Sequence, residues 1–188
     1  MKNLENKNKI LEKLEEVYAR NGADGATMRS LAKKIGISQS VLYYYFENKE
    51  QMLREMFDYS RKKLSIKRKK LRLNLPFDQS LLERIIFQLE NSCSVVAILK
   101  YFLEHKSVFN KNDFGYIPKT AYLHIKEILE IGIERKEIKN VSDIDADAKV
   151  ITHAINGFVL EYYPSNLTKS EARSIAVRIR DFVMRAVL

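Results

Sequence analysis

Apolar residues recur every three or four positions along nearly the whole chain, and that periodicity restricts it to helices. Ile10, Leu11, Leu14, Val17 and Tyr18 fall on one helical face and the Lys and Glu among them on the other, the pattern of a helix with one buried side. No run alternates apolar and polar residues with the period that a half-buried strand needs, so the expected class is all-α. Asn21-Gly22 ends the first helix. Thr27 stands as N-cap before Met28, Leu31, Ala32 and Ile35, and Gly36 follows at the C-terminal cap. Ile37 buries the turn, Ser38 caps a third helix bearing Val41, Leu42, Tyr45 and Phe46, and Asn48 opens a long helix expected to reach about Leu73.

Further on, Leu81, Leu82, Ile85, Ile86 and Leu89 mark one helix, and Val95 to Leu103 another that is apolar nearly all round. His105 to Ile117, with Asn110, Asn112, Asp113 and Gly115, reads as a loop. Pro118 suits the start of a helix carrying Ala121, Tyr122, Ile125, Ile128, Leu129 and Ile133. Asp143, Asp145 and Asp147 favour a helix start, followed by Ile151, Ala154, Ile155, Phe158, Val159 and Tyr162, with Pro164 and Asn166 as breakers. Thr168 with Glu171 forms a capping box for a last helix striped by Ala172, Ile175, Ala176, Ile179, Phe182, Val183, Ala186 and Val187. The expected architecture is thus an N-terminal three-helix bundle joined by a long helix to a C-terminal helical domain, about nine helices in all.

Charge divides the chain. Residues 1–74 hold 18 Lys+Arg against 9 Asp+Glu, whereas residues 75–188 hold 15 of each. The whole excess of +9 in this 188-residue protein is therefore N-terminal. A basic segment before a neutral, apolar one points to a polyanion for the first and a different task for the second; a solvated basic face on a helical bundle is the competing reading. No uncharged apolar run approaches the ~20 residues that span a bilayer. The N-terminal stretch with Lys2, Glu5, Lys7 and Glu12 lacks the apolar region of a secretory signal, and the single Cys93 excludes an intramolecular disulfide framework. A cytoplasmic protein with no membrane partner is expected.

The segment from Thr27 to Tyr43 has the anatomy of a helix-turn-helix: a helix, a glycine turn and a capped second helix. That second helix must be slim and polar at its N-terminal end to enter a major groove about 12 Å wide. Ser38, Gln39 and Ser40 meet the need and can hydrogen-bond base edges, while Tyr43 and Lys49 can reach flanking phosphates. Leu31, Ala32, Ile35, Ile37, Leu42 and Phe46 read as the core that fixes the angle of the two helices. Successive helix residues point about 100° apart, so Tyr43, Tyr44 and Tyr45 cannot all be core. Tyr45 is open between packing under the motif and touching a phosphate. Arg61 to Lys63 and Lys67 to Lys70 lie roughly 18 to 32 Å beyond Lys49 along the helix and read as a solvated face.

Leu31-Ala32 through Gly36-Ile37, and then Leu42-Tyr43-Tyr44-Tyr45-Phe46-Glu47-Asn48-Lys49-Glu50-Gln51-Met52-Leu53, resemble the signature of TetR-family transcriptional regulators over about Ile10 to Leu53. The resemblance implies phosphate contacts for Thr27, Tyr43, Tyr45 and Lys49 and base contacts for Arg29, Gln39, Ser40 and Val41, with Tyr44 open to either. It implies a DNA-binding domain over residues 1–47 and an effector-binding and dimerisation domain over 48–188. It also implies a homodimeric regulator, most often a repressor, that a small apolar or amphipathic ligand releases from a palindromic operator.

In residues 75–188, seven Phe and five Tyr can enclose an apolar cavity. Leu89, Cys93, Leu99, Phe102, Tyr122, Ile125, Phe158 and Tyr162 are the candidate lining, with plain core as the alternative for each. His105, His124 and His153 stand in no metal-ligand spacing, Cys93 has no neighbour that would activate it, and neither metal nor cofactor is expected. The last two helices, with Ile151, Ala154, Ile155, Ala172, Ile175, Ala176, Ile179, Phe182 and Val183, form a candidate dimer interface unless one chain satisfies both stripes. The contrasting functional class is a helical enzyme or carrier with a basic nucleic-acid-binding arm. No nucleophile–base pair, phosphate loop or metal set supports it, so no enzymatic activity is expected.

Overall fold

A computed structural model describes residues 2–23, 25–72, 74–105, 116–163 and 167–188, without the side chains of 2–4 and 116–121. Among the described residues there are nine helices and no strand: α1 (Lys2–Asn21), α2 (Met28–Ile35), α3 (Gln39–Tyr45), α4 (Lys49–Arg68), α5 (Phe77–Glu90), α6 (Ser92–Glu104), α7 (Tyr116–Glu134), α8 (Ile144–Tyr162) and α9 (Lys169–Val187). They form two compact units, Met1–Ile66 with Cys93–Lys106, and Lys67–Ser92 with Ser107–Leu188. The unit that contains the helix-turn-helix thus runs past residue 47, taking most of α4 and all but the first residue of α6.

In the first unit, Leu14, Tyr18, Leu31, Leu42, Phe46 and Met52 are buried together with the other apolar faces of α1 to α4. Gly36 ends α2 with φ of 76°, and the Ile37 amide returns to the Ala32 carbonyl at 3.0 Å. This is the left-handed glycine cap that satisfies last-turn carbonyls and reverses the chain. α6 is tied to α1 by polar contacts: the Tyr18 hydroxyl donates to Glu104 Oε2 at 2.5 Å, and the Lys100 ammonium donates to the Ala19 carbonyl at 2.6 Å. Tyr101 stacks on Phe57 with ring centroids 4.5 Å apart.

Arg61 to Lys63 are not simply a solvated face. Lys63 forms an ion pair with Glu15, whose side chain is buried in the core. Burial alone would push the Lys63 pKa down, but the hydrogen bond and charge of Glu15 more than offset it and the net shift is upward. Arg61 lies 3.5 Å from Asp58. The reason is geometric: the inner edge of an amphipathic helix needs counter-charges wherever its partner helix buries a carboxylate.

In the second unit, α5 packs on α7, α8 and α9. Gly132 permits close approach, because a Cβ there would lie 2.7 Å from the Phe77 ring. The Lys139 and Asn140 amides donate to the Val187 carbonyl at 2.9 and 3.1 Å and close the end of α9. Asp143 caps α8 through the Asp145 and Ala146 amides, and the Thr168–Glu171 capping box opens α9 as its spacing indicates.

Three sequence expectations are corrected. α4 stops at Arg68, not Leu73, and the chain leaves it through tight turns in which the Lys70 and Leu71 amides reach back three residues to Lys67 and Arg68. α7 begins at Tyr116, two residues before Pro118, which sits in a first turn whose amides need no helical acceptor. Ile151, Ile155, Ala172, Ala176, Ile179 and Val183, assigned to a dimer interface, are buried within the chain itself. The remaining loop residues 106–115 and the breakers Pro164 and Asn166 lie outside the described residues.

Lys63→Met should leave the Glu15 charge buried and unpaired and cost roughly 3 kcal/mol in urea unfolding; Glu15→Gln combined with Lys63→Met should recover most of that loss.

Candidate DNA-binding surface and effector unit

The helix-turn-helix is held by hydrogen bonds at both helix starts. Thr27 Oγ1 accepts from the Ser30 amide at 3.1 Å, and Ser30 Oγ accepts from the Thr27 amide at 2.9 Å. Ser30 thus completes a capping box in which Ser replaces the usual Glu or Gln. Ser38 Oγ accepts from the Val41 amide at 3.3 Å and shares a hydrogen bond of 2.8 Å with Ser40 Oγ. Both serines are therefore partly engaged in shaping the start of α3.

α3 has two sharply different sides. Leu42 within it and Phe46 at its C-cap are buried, whereas Gln39, Ser40, Val41, Tyr43 and Tyr44 are exposed. Tyr43 is 51% and Tyr44 71% exposed. Tyr45 lies between, half-buried, with its ring edge-on to Tyr44 at 4.9 Å and 6.3 Å from Phe46. Thr27 and Arg29 are exposed at the start of α2.

Lys49 is half-buried at the start of α4. Its ammonium donates to the carbonyls of Ala26 at 3.0 Å and Ala23 at 3.4 Å, clasping the turn that leads into Thr27. Asn48 Oδ1 accepts from the Gln51 amide at 2.8 Å, while Gln51 Oε1 accepts from the Glu47 amide at 2.8 Å. The spacing from Tyr43 to Leu53 therefore encodes a second cap, in which Asn48 and Gln51 each accept a backbone amide, and it fixes how α4 leaves α3.

The eight candidate pocket residues do not assemble in one unit. Cys93, Leu99 and Phe102 belong to the first, and Leu89, Tyr122, Ile125, Phe158 and Tyr162 to the second. Leu89, Tyr122 and Ile125 are buried there, while Phe158 is 37% exposed.

What sequence reasoning missed is a polar group inside the second unit. Arg84 is 1% exposed, and its Nη1 donates to Gln88 Oε1 at 2.6 Å. Gln88 Nε2 in turn donates to Asn156 Oδ1 at 2.8 Å. Among the described residues, Arg84 Nε, His124 Nδ1 and Thr152 Oγ1 are buried without a hydrogen-bond partner. Burial, followed by the charge of Arg68, lowers the Arg84 pKa to about 9. Burial, followed by the charges of Arg84 and Arg68, lowers that of His124 to about 4. The signal was present in the sequence: Arg84 and Gln88 fall on the same helical stripe as Leu81, Ile85 and Leu89.

Residues 10–56 match the profile of bacterial regulatory proteins of the tetR family. Over 170 residues the chain is 25% identical to the probable acrEF/envCD operon repressor of Escherichia coli, covering 83% of this chain and 75% of that protein. The TetR-family regulator PfmR of Thermus thermophilus shares the fold with a TM-score of 0.71 at 18% identity, over 95% of both chains. The regulator FadR of Bacillus subtilis, solved in complex with stearoyl-CoA, does so with a TM-score of 0.67 at 17% identity, over 96% of this chain and 98% of that one. The capped helix-turn-helix thus lies in the stretch that matches the tetR family, and the relatives and the shared all-helical fold support a TetR-family DNA-binding transcriptional regulator.

Proposed function

We propose that the protein is a homodimeric repressor that holds a palindromic operator and releases it when a small molecule binds the second unit. The observation that carries this reading is the two-sided α3, which is anchored by Leu42 and Phe46 and exposes Gln39, Ser40, Val41, Tyr43 and Tyr44. A helix so capped and so polar at its start fits the major groove. Gln39, Ser40, Val41 and Arg29 meet base edges; Thr27 and Tyr43 meet phosphates, and Tyr44 extends the same surface. Tyr45 and Lys49 act chiefly by position, the first under α3 and the second through the Ala23–Ala26 turn.

The dimer forms through the outer faces of α8 and α9. Val150 and Phe158 are exposed on α8 with Ala154 between them, and Phe182, 64% exposed, follows Ile175 by two turns on α9. Two such helices from each subunit make a four-helix interface with two-fold symmetry, which places two α3 helices for two half-sites. Repression is supported by the operon repressor among its relatives, and a small-molecule effector by the stearoyl-CoA held by the B. subtilis regulator. Residues 49–66 of α4 belong to the DNA-binding unit, and Lys67 and Arg68, at its end, to the second unit. A ligand releases the operator only by its higher affinity for the conformer that fits DNA poorly. The protein works in the cytoplasm, as a regulator and not as an enzyme.

Selection from random DNA followed by gel-shift titration tests the reading: a palindrome should be enriched. Gln39→Ala should flatten preference at one base pair per half-site by about 1–3 kcal/mol, whereas Tyr43→Phe should weaken all sequences alike; identical behaviour of the two variants refutes the assignment. Lys49→Met should cost about 1 kcal/mol of stability without DNA, as a charged hydrogen bond to the turn is lost, and should scarcely change the salt dependence of DNA binding. Phe182→Glu should shift sedimentation from dimer to monomer and lower affinity for the full palindrome by about tenfold or more, with binding to a single half-site retained.

A further inference from the structure

Arg84 is the most deeply buried cation of the second unit, and neither DNA binding nor the proposed dimer face uses it. A guanidinium stays protonated at neutral pH even with its pKa lowered. Taken out of water, such a charge is strongly disfavoured unless an anion meets it. Among the described residues no carboxylate does: its side-chain partner there is the neutral Gln88, and the nearby charge of Arg68 is of the same sign. Gln88 is locked in turn by Asn156, which fixes the guanidinium; among the described residues its Nε edge has no acceptor. That edge is one of those on which a guanidinium receives an oxyanion with two parallel hydrogen bonds.

The surroundings agree. Thr152, one turn before Asn156 on α8, brings a buried hydroxyl with no partner among the described residues, and His124 on α7 a buried ring nitrogen in the same position. The same helices otherwise bury Ile85, Ile125, Ile151 and Ile155, which suits an apolar body and no second charge.

We infer that Arg84, oriented by Gln88 and Asn156, with Thr152 one turn before Asn156 and His124 within reach of its charge, binds the oxyanion head group of an otherwise apolar effector. The inference rests on the proposed role of this unit as the effector-binding one. It also supplies a route to control: Arg68, whose charge bears on both Arg84 and His124, is the last residue of α4. An anion on Arg84 relieves the repulsion between the two guanidiniums and so bears on the end of α4.

Titration calorimetry of the intact protein with hexanoate, decanoate, tetradecanoate and decyl phosphate, each paired with the matching alcohol, tests the inference. At least one anion should bind about tenfold or more tightly than its alcohol, and the decyl phosphate arm tells whether carboxylate or phosphate is preferred. Arg84→Met should bring each pair to within about twofold and should leave Tm unchanged or raised, since an unpaired buried charge has been removed. Equal affinity of every anion and its alcohol for the unaltered protein, or no binding by any, overturns the inference whether or not the variant folds. A preference that survives in folded Arg84→Met overturns it as well. Gel shifts run in parallel separate the two readings: anion binding without operator release keeps the site and refutes release through it, whereas release by another effector with no anion preference refutes the site alone.

Discussion

The left-handed turn at Gly36 is the constraint on which the DNA-binding unit depends. With φ of 76° and the Ile37 amide folded back to Ala32, it turns the chain sharply enough for α3 to begin two residues later at the Ser38 cap. A residue with a Cβ would be strained there even though the surrounding space is open. Once that angle is set, Leu42 and Phe46 reach the core formed with α1 and α2, and the opposite side of α3 is left in water. The same few residues make the unit stable and prepare its contact surface.

Lysines do structural work throughout this unit. Lys49 clasps the turn before Thr27, Lys100 caps the carbonyl end of α1, and Lys63 neutralises Glu15 inside the helical core. The N-terminal excess of positive charge is therefore not all available to a polyanion. The part that lies on exposed surface at the helix-turn-helix includes Arg29, Lys33 and Lys34, and the long-range field of the whole segment still favours approach to DNA.

Most of the fold was legible because helices announce themselves locally. The caps Thr27, Ser38, Asn48, Asp143 and Thr168 all occupy the positions their spacing indicates. Legibility failed where the outcome depends on which neighbour an apolar face meets. The stripes of α8 and α9 carry the periodicity of an interface, yet Ile151, Ile155, Ala176 and Ile179 are covered by the protein's own core, and exposed Phe158 and Phe182 mark the outer face. Candidate pocket residues were distributed over two units for the same reason: periodicity says which side of a helix is buried, not against what.

The sequence by itself determined the helices, their caps, the glycine turn and the polar start of α3, because each depends on residues within a turn or two of one another. It also carried the resemblance to the tetR family, through motifs confined to about one quarter of the chain. Only the tertiary structure decided that Lys63 faces a buried carboxylate, that Lys49 holds a turn, and that Arg84, Gln88 and Asn156 meet across two helices in the core. Apart from the one-turn Arg84–Gln88 pair, those contacts join residues from 23 to 68 positions apart, and long-range pairing of charge and hydrogen bond is set by how faces pack, which no local pattern records.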